Sequence, residues 1–213
     1  MPEAGWEKNV KKEEKAVASS LTAQQVIDNY LAALGGKAKL EAVKTLKTTS
    51  TMKVMGMEIP GTEIKMAPNK MKRTQSMMGQ ESIQIFDGTK GYIIQAGNKT
   101  DMPAPMIEKM KEAKIIEALG MDAAKYKTVE KTSLDGKEVI LMTSEKGKYF
   151  FDAKTGLLVK SQREGSELTF DNYTEVDGIK FPTKIMINAN GQNIEMINSN
   201  IQVNKSVTEA DFK

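Results

Sequence analysis

The chain has 213 residues, of which 39% are hydrophobic and 28% charged, so it is long enough to bury a core as one large domain or two small ones. It contains no cysteine and no histidine, which excludes disulfides, thiolate metal sites, thiol nucleophiles and histidine-based catalytic triads. The net charge is only +3 and both signs are spread along the sequence, which predicts no nucleic-acid interface.

The first 20 residues are charged and poor in large apolar groups, and we expect residues 1–20 to be a linker or an N-terminal extension. One domain is predicted to follow over residues 21–213. Thr22 and Gln25 have the spacing of a capping box, in which each side chain satisfies the other residue's backbone amide. An apolar stripe at helical spacing comes next and ends at Gly35, which predicts an amphipathic first helix.

From Thr45 onward the hydrophobic period changes to two, and turn residues recur about every ten positions. This rhythm predicts an antiparallel meander of short strands. The segment Asp101–Leu119 interrupts it with helical spacing and several methionines, so we expect a central amphipathic helix there. The strands then resume and include two long ones within Tyr173–Val203, joined by a tight turn at Asn190-Gly191.

Ten or more consecutive strands cannot form a flat sheet, because the twist of each pair accumulates. We therefore predict a mainly β (α+β) fold. It is a strongly curved antiparallel sheet, or incomplete β-barrel, of about 10–12 strands with the N-terminal and central helices on its concave side.

Five stretches carry a family resemblance that covers about residues 21–213. They are VIDNYLAALGGKAKLEAVKTL at Val26–Leu46, FDGTKGY at Phe86–Tyr92, YFFDAKTGLLVK at Tyr149–Lys160, YTEVDGIKFPTKI at Tyr173–Ile185 and VTEADFK at Val207–Lys213. The chain resembles the bacterial lipoprotein localisation factors of the LolA and LolB type. It is most similar to secreted domains of Gram-negative bacteria that occur alone or C-terminal to insulinase-like zinc peptidases.

The resemblance implies a non-catalytic binding protein for a lipid, a lipoprotein acyl chain or another hydrophobic ligand. It also implies a location in the periplasm or at the periphery of the outer membrane of a Gram-negative bacterium. The alternative is an accessory domain that interacts with an insulinase-like peptidase or another envelope protein and has no ligand cavity. The chain cannot itself be that peptidase, because the zinc motif HxxEH needs histidine. We expect a monomer.

The candidate ligand-binding residues are inward-facing side chains of the sheet together with apolar side chains of the central helix. They are Met52, Val54, Met71, Met77, Ile85, Ile94, Met106, Ile107 and Met110. Such side chains line an apolar pocket. The same residues could equally pack on one another and leave no cavity, and a one-residue error in register would exchange the two faces.

The sequence shows no catalytic constellation, no metal-ligand set and no cofactor motif. Glu108 and Glu112 lie four residues apart and could share one face of a helix, but neighbouring lysines favour an ordinary solvated face.

Overall fold

The computed structural model describes residues 16–212. Three α-helices are present, at Ala23–Leu34 (α1), Lys37–Glu41 (α2) and Ala104–Glu112 (α3), with short 3-10 helices at Glu117–Gly120, Ala123–Lys125 and Glu209–Phe212. Fourteen strands make up most of the chain: Val17–Ala18 (β1), Thr45–Val54 (β2), Met57–Met66 (β3), Lys70–Met77 (β4), Gln80–Phe86 (β5), Gly91–Gln95 (β6), Asn98–Asp101 (β7), Tyr126–Leu134 (β8), Lys137–Ser144 (β9), Gly147–Asp152 (β10), Leu158–Arg163 (β11), Ser166–Val176 (β12), Ile179–Ala189 (β13) and Gln192–Val203 (β14).

All fourteen strands form one antiparallel sheet that is not closed into a barrel. The spatial order runs from β1 through β8 to β14 and then from β2 to β7, so that the two halves of the chain meet where β14 pairs with β2. The predicted fold class is confirmed. Two very short edge strands, β1 and β7, bring the number of strands above the 10–12 expected.

The sheet curves around α1. This helix contacts both β8 and β13, which lie five strand positions apart. On a flat sheet that separation would be about 24 Å, since neighbouring strands are about 4.8 Å apart. Contact of one helix, about 18 Å long and about 10–12 Å across, with two strands so far apart fits a sheet that bends toward it.

The capping box predicted for the first helix is present. The Gln25 amide donates to Thr22 Oγ1 at 3.2 Å, and the Thr22 amide donates to Gln25 Oε1 at 2.8 Å. Helix α1 ends at Gly35, where a Cβ atom would lie 2.2 Å from the carbonyl oxygen of Gly178. Glycine at this position therefore lets α1 approach the backbone of the sheet.

The central helix is shorter than predicted. Helix α3 ends at Glu112, and Ala113 has an extended backbone with ψ 139°. The buried side chains of this region, including Ile115 and Ile116, follow the helix and join the core under α1. None of the helices within residues 16–212 is both long and apolar enough to cross a bilayer.

The predicted extension falls largely in residues 1–15, which lie outside the described part of the chain. Its last residues contribute to the sheet, because Val17 pairs with Lys131 and Ala18 with Glu130 of β8. At the other end of the chain, the turn Glu209–Phe212 lies against β4 and buries Phe212.

Candidate functional site on the concave face

Two complete rows of apolar side chains cross the concave face. Pairing between β12, β13, β14, β2 and β3 aligns five residues in each row. We call these ten residues the apolar double row. One row is Leu168, Ile187, Ile194, Val54 and Met57, and the other is Phe170, Ile185, Met196, Met52 and Ile59.

The double row lies on the same face as α1 but beyond the helix. Along β13, Ile185 and Ile187 continue the alternation that begins at Ile179 and Phe181, and these two residues pack in the core under α1. No member of the double row belongs to that core. Ile185 and Ile59 are buried by their neighbours and the remaining members are half-buried or exposed.

The core under α1 fills the other end of the concave face. Tyr30 of α1 meets Phe151 of β10 edge to face, with ring centroids 5.3 Å apart. Burial raises the pKa of Tyr30 to about 12, so the ring is neutral throughout the physiological range. Tyr173 donates a hydrogen bond from its hydroxyl to the carbonyl oxygen of Leu158 at 2.7 Å. This end of the face is therefore occupied by the protein's own packed side chains.

A charged group borders the double row on β3 and β4. Lys65 Nζ lies 3.0 Å from Glu63 Oε1, and Arg73 Nε donates to Glu63 Oε2 at 3.0 Å. Burial opposes charge on Glu63, yet the two cations outweigh it and hold the pKa of that carboxyl below its ordinary value. Lys65 also lies 3.7 Å from Glu117, which ties the segment after α3 to the sheet.

Next to this group the concave face is polar. Pairing places Gln75 beside Ser82, and Arg73 beside Gln84, on β4 and β5. Between Met71 and Met77 the concave face of β4 is therefore polar, in contrast to the apolar double row that ends on β3.

The predicted ligand-binding residues lie at several different places in the structure. Met52 and Val54 belong to the double row. Met71 and Met77 lie on the same face of β4, farther along the sheet. Ile85 and Ile94 point to the opposite, convex face, because pairing sets Ile85 beside Lys72 and Ile94 beside Ile83. The expectation that all six strand residues face inward is corrected for these two.

Of the three predicted residues of α3, Ile107 is placed by the structure on β6, away from the double row. Met106 is 38% exposed and Met110 is half-buried. Ile107 packs beside Gly91 of β6, where a Cβ atom would lie 3.1 Å from Ile107 Cδ1 and 2.4 Å from Met102 Sδ. Helix α3 therefore rests on the concave face at β6, several strands away from Met52.

Eight members of the double row were not among the predicted ligand-binding residues. A signal for two of them is present in the sequence, since the alternation of Ile179, Phe181, Ile185 and Ile187 marks one buried face of β13. The partners of those residues on β12 and β14, and the next members of each row on β2 and β3, depend on register across the sheet, which alternation within one strand does not give.

The double row forms an open surface. Two shallow depressions lie elsewhere, one beside Lys39 and Asp177 and the other at the turn Asn190-Gly191. Within residues 16–212 no three acidic side chains are grouped as a metal site would require. The concave face therefore offers an apolar surface for contact. Beside it lies a polar border in which acidic and basic side chains neutralise each other.

Comparison with solved structures identifies the fold. A DUF1329 family protein from Desulfovibrio piger superposes with a TM-score of 0.59 at 10% identity, covering 90% of this chain and 97% of that one. A putative outer membrane lipoprotein-sorting protein domain from Vibrio parahaemolyticus gives 0.57 at 12% identity, with coverage of 90% and 97%. A LolA superfamily protein from Nitrosomonas europaea gives 0.55 at 8% identity, with coverage of 91% and 98%.

No family model matches the sequence, and no curated protein matches it. The structural likeness extends over almost the whole of each compared chain. This chain therefore has the fold of the LolA-type lipoprotein localisation factors.

Proposed function

We propose that the chain is a non-catalytic binding protein of the bacterial envelope that holds a lipid, a lipoprotein acyl chain or a similar hydrophobic ligand against the apolar double row. The observation that carries this proposal is ten aligned apolar side chains on the concave face that lie outside the core under α1 in the described part of the chain, eight of them at least partly exposed. A soluble protein leaves such a continuous apolar surface open when the surface binds something.

The size of the surface suits an extended acyl chain. Five strands span about 19 Å across the sheet, at about 4.8 Å per strand spacing. Each buried methylene contributes about 0.8 kcal/mol, so about eight of them contribute about 6 kcal/mol before the cost of ordering the ligand. Apolar contact alone thus supports binding, and the polar border on β4 and β5 can accept the polar end of the ligand.

The test uses two neighbouring residues that point to opposite faces. Ile187 belongs to the double row, whereas Met186 lies on the convex face and is 38% exposed. A fluorescent fatty acid is titrated into the purified protein and its I187E and M186E variants. We expect I187E to weaken binding at least about tenfold, because a carboxylate is costly against an apolar ligand. M186E should bind like the wild type.

Native mass spectrometry followed by organic extraction identifies any ligand that co-purifies. Equal loss in both variants, or no uptake of fatty acid or lipopeptide by the wild type, would contradict the proposal. The second result would favour the accessory domain of a peptidase or another envelope protein, which a pull-down with the candidate partner then tests.

A further inference from the structure

Six tight turns of this sheet share one backbone conformation. In each, two residues with positive φ join the strands, which is the type I′ geometry. The second residue is always glycine. The first has φ between 49° and 52° and is Met55, Met78, Ala96, Asp135, Asp177 or Asn190.

Three of these turns break a local rule. Asparagine and aspartate tolerate the left-handed conformation, whereas a side chain such as methionine is strained there. The three apolar residues, Met55, Met78 and Ala96, occupy the hairpins β2–β3, β4–β5 and β6–β7. These alternate with the hairpins β3–β4 and β5–β6, so all three turns lie at the same end of the antiparallel strands. A local preference broken repeatedly in one place indicates a function.

The methionines at these turns are the most exposed large apolar side chains in the described part of the chain. Met55 is 80% exposed and Met78 is 87% exposed. Beside them, Met57 is 38% and Met77 is 47% exposed. We call these four residues the methionine rim. Met57 is also a member of the apolar double row, so the rim is continuous with the open concave face.

The rim has no charge preference. Lys53 and Glu58 neutralise each other at 3.0 Å beside Met55, and Glu81 and Lys99 flank the other two turns. The four methionines lie at only two hairpins, and their combined surface is far smaller than the roughly 800 Å² per partner of a stable protein interface. Methionine is flexible and polarizable, which suits contact with mobile acyl chains.

We propose that the methionine rim inserts into the surface of a lipid bilayer and places the open end of the concave face against it. The interaction is apolar, so it requires neither anionic lipid nor low salt. This docking is independent of which ligand, if any, the double row holds.

The test is co-flotation of the protein with phosphatidylcholine vesicles. The variant M55N/M78N replaces two strained methionines by the residue that the turn favours, so its Tm should equal or exceed that of the wild type. We expect the wild type to float with the vesicles equally at about 0.1 and about 0.5 M salt. The variant should lose at least about tenfold in vesicle affinity. The control M186N removes an exposed methionine from the convex face and should float like the wild type.

Three outcomes would overturn the proposal. They are a wild type that does not associate with the vesicles, a loss of affinity in M186N as large as in M55N/M78N, and an association that requires anionic lipid and disappears at high salt. Sedimentation velocity of the same proteins measures whether they self-associate. Self-association that depends on Met55 and Met78, without vesicle binding, would assign the rim to a contact between two copies of the chain.

Discussion

The charged group on β3 and β4 gives the sharpest test of how the concave face is stabilised. Glu63 is the centre of this group, since it accepts from Arg73 and pairs with Lys65 at 3.0 Å. Within residues 16–212, Glu63 is the only carboxylate that contacts both cations, and the change Glu63→Gln removes it. Lys65 then keeps Glu117 at 3.7 Å, a residue whose side chain is 88% exposed.

The magnitude follows from how far the pair is buried. Breaking a fully buried ion pair costs about 3–5 kcal/mol, and breaking an exposed pair costs about 0–1 kcal/mol. The Glu63 side chain is 24% exposed and that of Lys65 is 20% exposed. We therefore expect Glu63→Gln to lower the free energy of unfolding by about 2 kcal/mol. For a domain of this size, each kcal/mol lowers Tm by about 2–4 °C. Glu63→Gln should therefore lower Tm by about 4–8 °C at pH 7.

The effect should depend on pH in one direction. The pKa of Glu63 in the folded state lies below its ordinary value of 4.5, so its charge stabilises the fold above that value. This stabilisation is lost as the pH falls through the lowered pKa. The difference in free energy of unfolding between the wild type and Glu63→Gln should shrink over that range.

Thermal denaturation followed by circular dichroism measures both quantities. Glu145→Gln is the matched control, because Glu145 and Lys127 form a 3.0 Å pair whose side chains are 78% and 63% exposed. That change should leave Tm unaltered. The reasoning is refuted if Glu63→Gln has the same Tm as Glu145→Gln at pH 7, or if its deficit stays constant down to acidic pH.

Three further changes test the packing. Phe151→Ala removes a ring that is 1% exposed and contacts Tyr30, and should cost about 3–5 kcal/mol in urea denaturation. Thr22→Ala removes the cap of α1 and should cost about 1 kcal/mol by the same measurement, whereas Thr22→Ser should restore it. Gly147→Ala places a Cβ atom 2.0 Å from the carbonyl oxygen of Gln162 at a φ of 152° and should lower Tm more than Thr22→Ala does. A Gly147→Ala protein as stable as the wild type would mean that β10 and β11 separate readily.

Local features of the fold were predictable from the sequence because they depend on residues close together in the chain. The capping box of α1 requires only Thr22 and Gln25, and the turn at Asn190-Gly191 requires only its own backbone preference. The number of such turns predicts the number of strands, and a single sheet with that many strands must curve because the twist of each pair accumulates.

The face of each strand could not be predicted in the same way. At the end of β5, Ile85 and Phe86 are both buried, at 3% and 0% exposure, although consecutive strand residues point to opposite faces. Met102 packs near one face, and the C-terminal turn that buries Phe212 lies near the other. Because both faces of β5 are covered there, the alternation of apolar and polar residues does not show which face is concave. The prediction therefore placed Ile85 on the concave face, whereas it lies on the convex face.

The end of the central helix depends on the same non-local packing. Glu108 and Lys111 pair at 2.9 Å on the solvated side of α3, a local contact that favours continuing the helix. The core under α1 instead takes Ile115 and Ile116 from an extended segment. Burial of two isoleucines outweighs the propagation of one more helical turn.

The open end of the concave face follows from the lengths of its elements. Helix α1 has 12 residues and is about 18 Å long and about 10 Å wide. Strands β13 and β14 have 11 and 12 residues and extend about 37–41 Å. A helix of that size covers at most about half of such strands in any orientation, and α3, with nine residues, rests on β6 instead. In the described part of the chain, the apolar double row therefore lies beyond the part of the strands that α1 can cover. The remaining surface has the length that the proposed acyl-chain ligand requires.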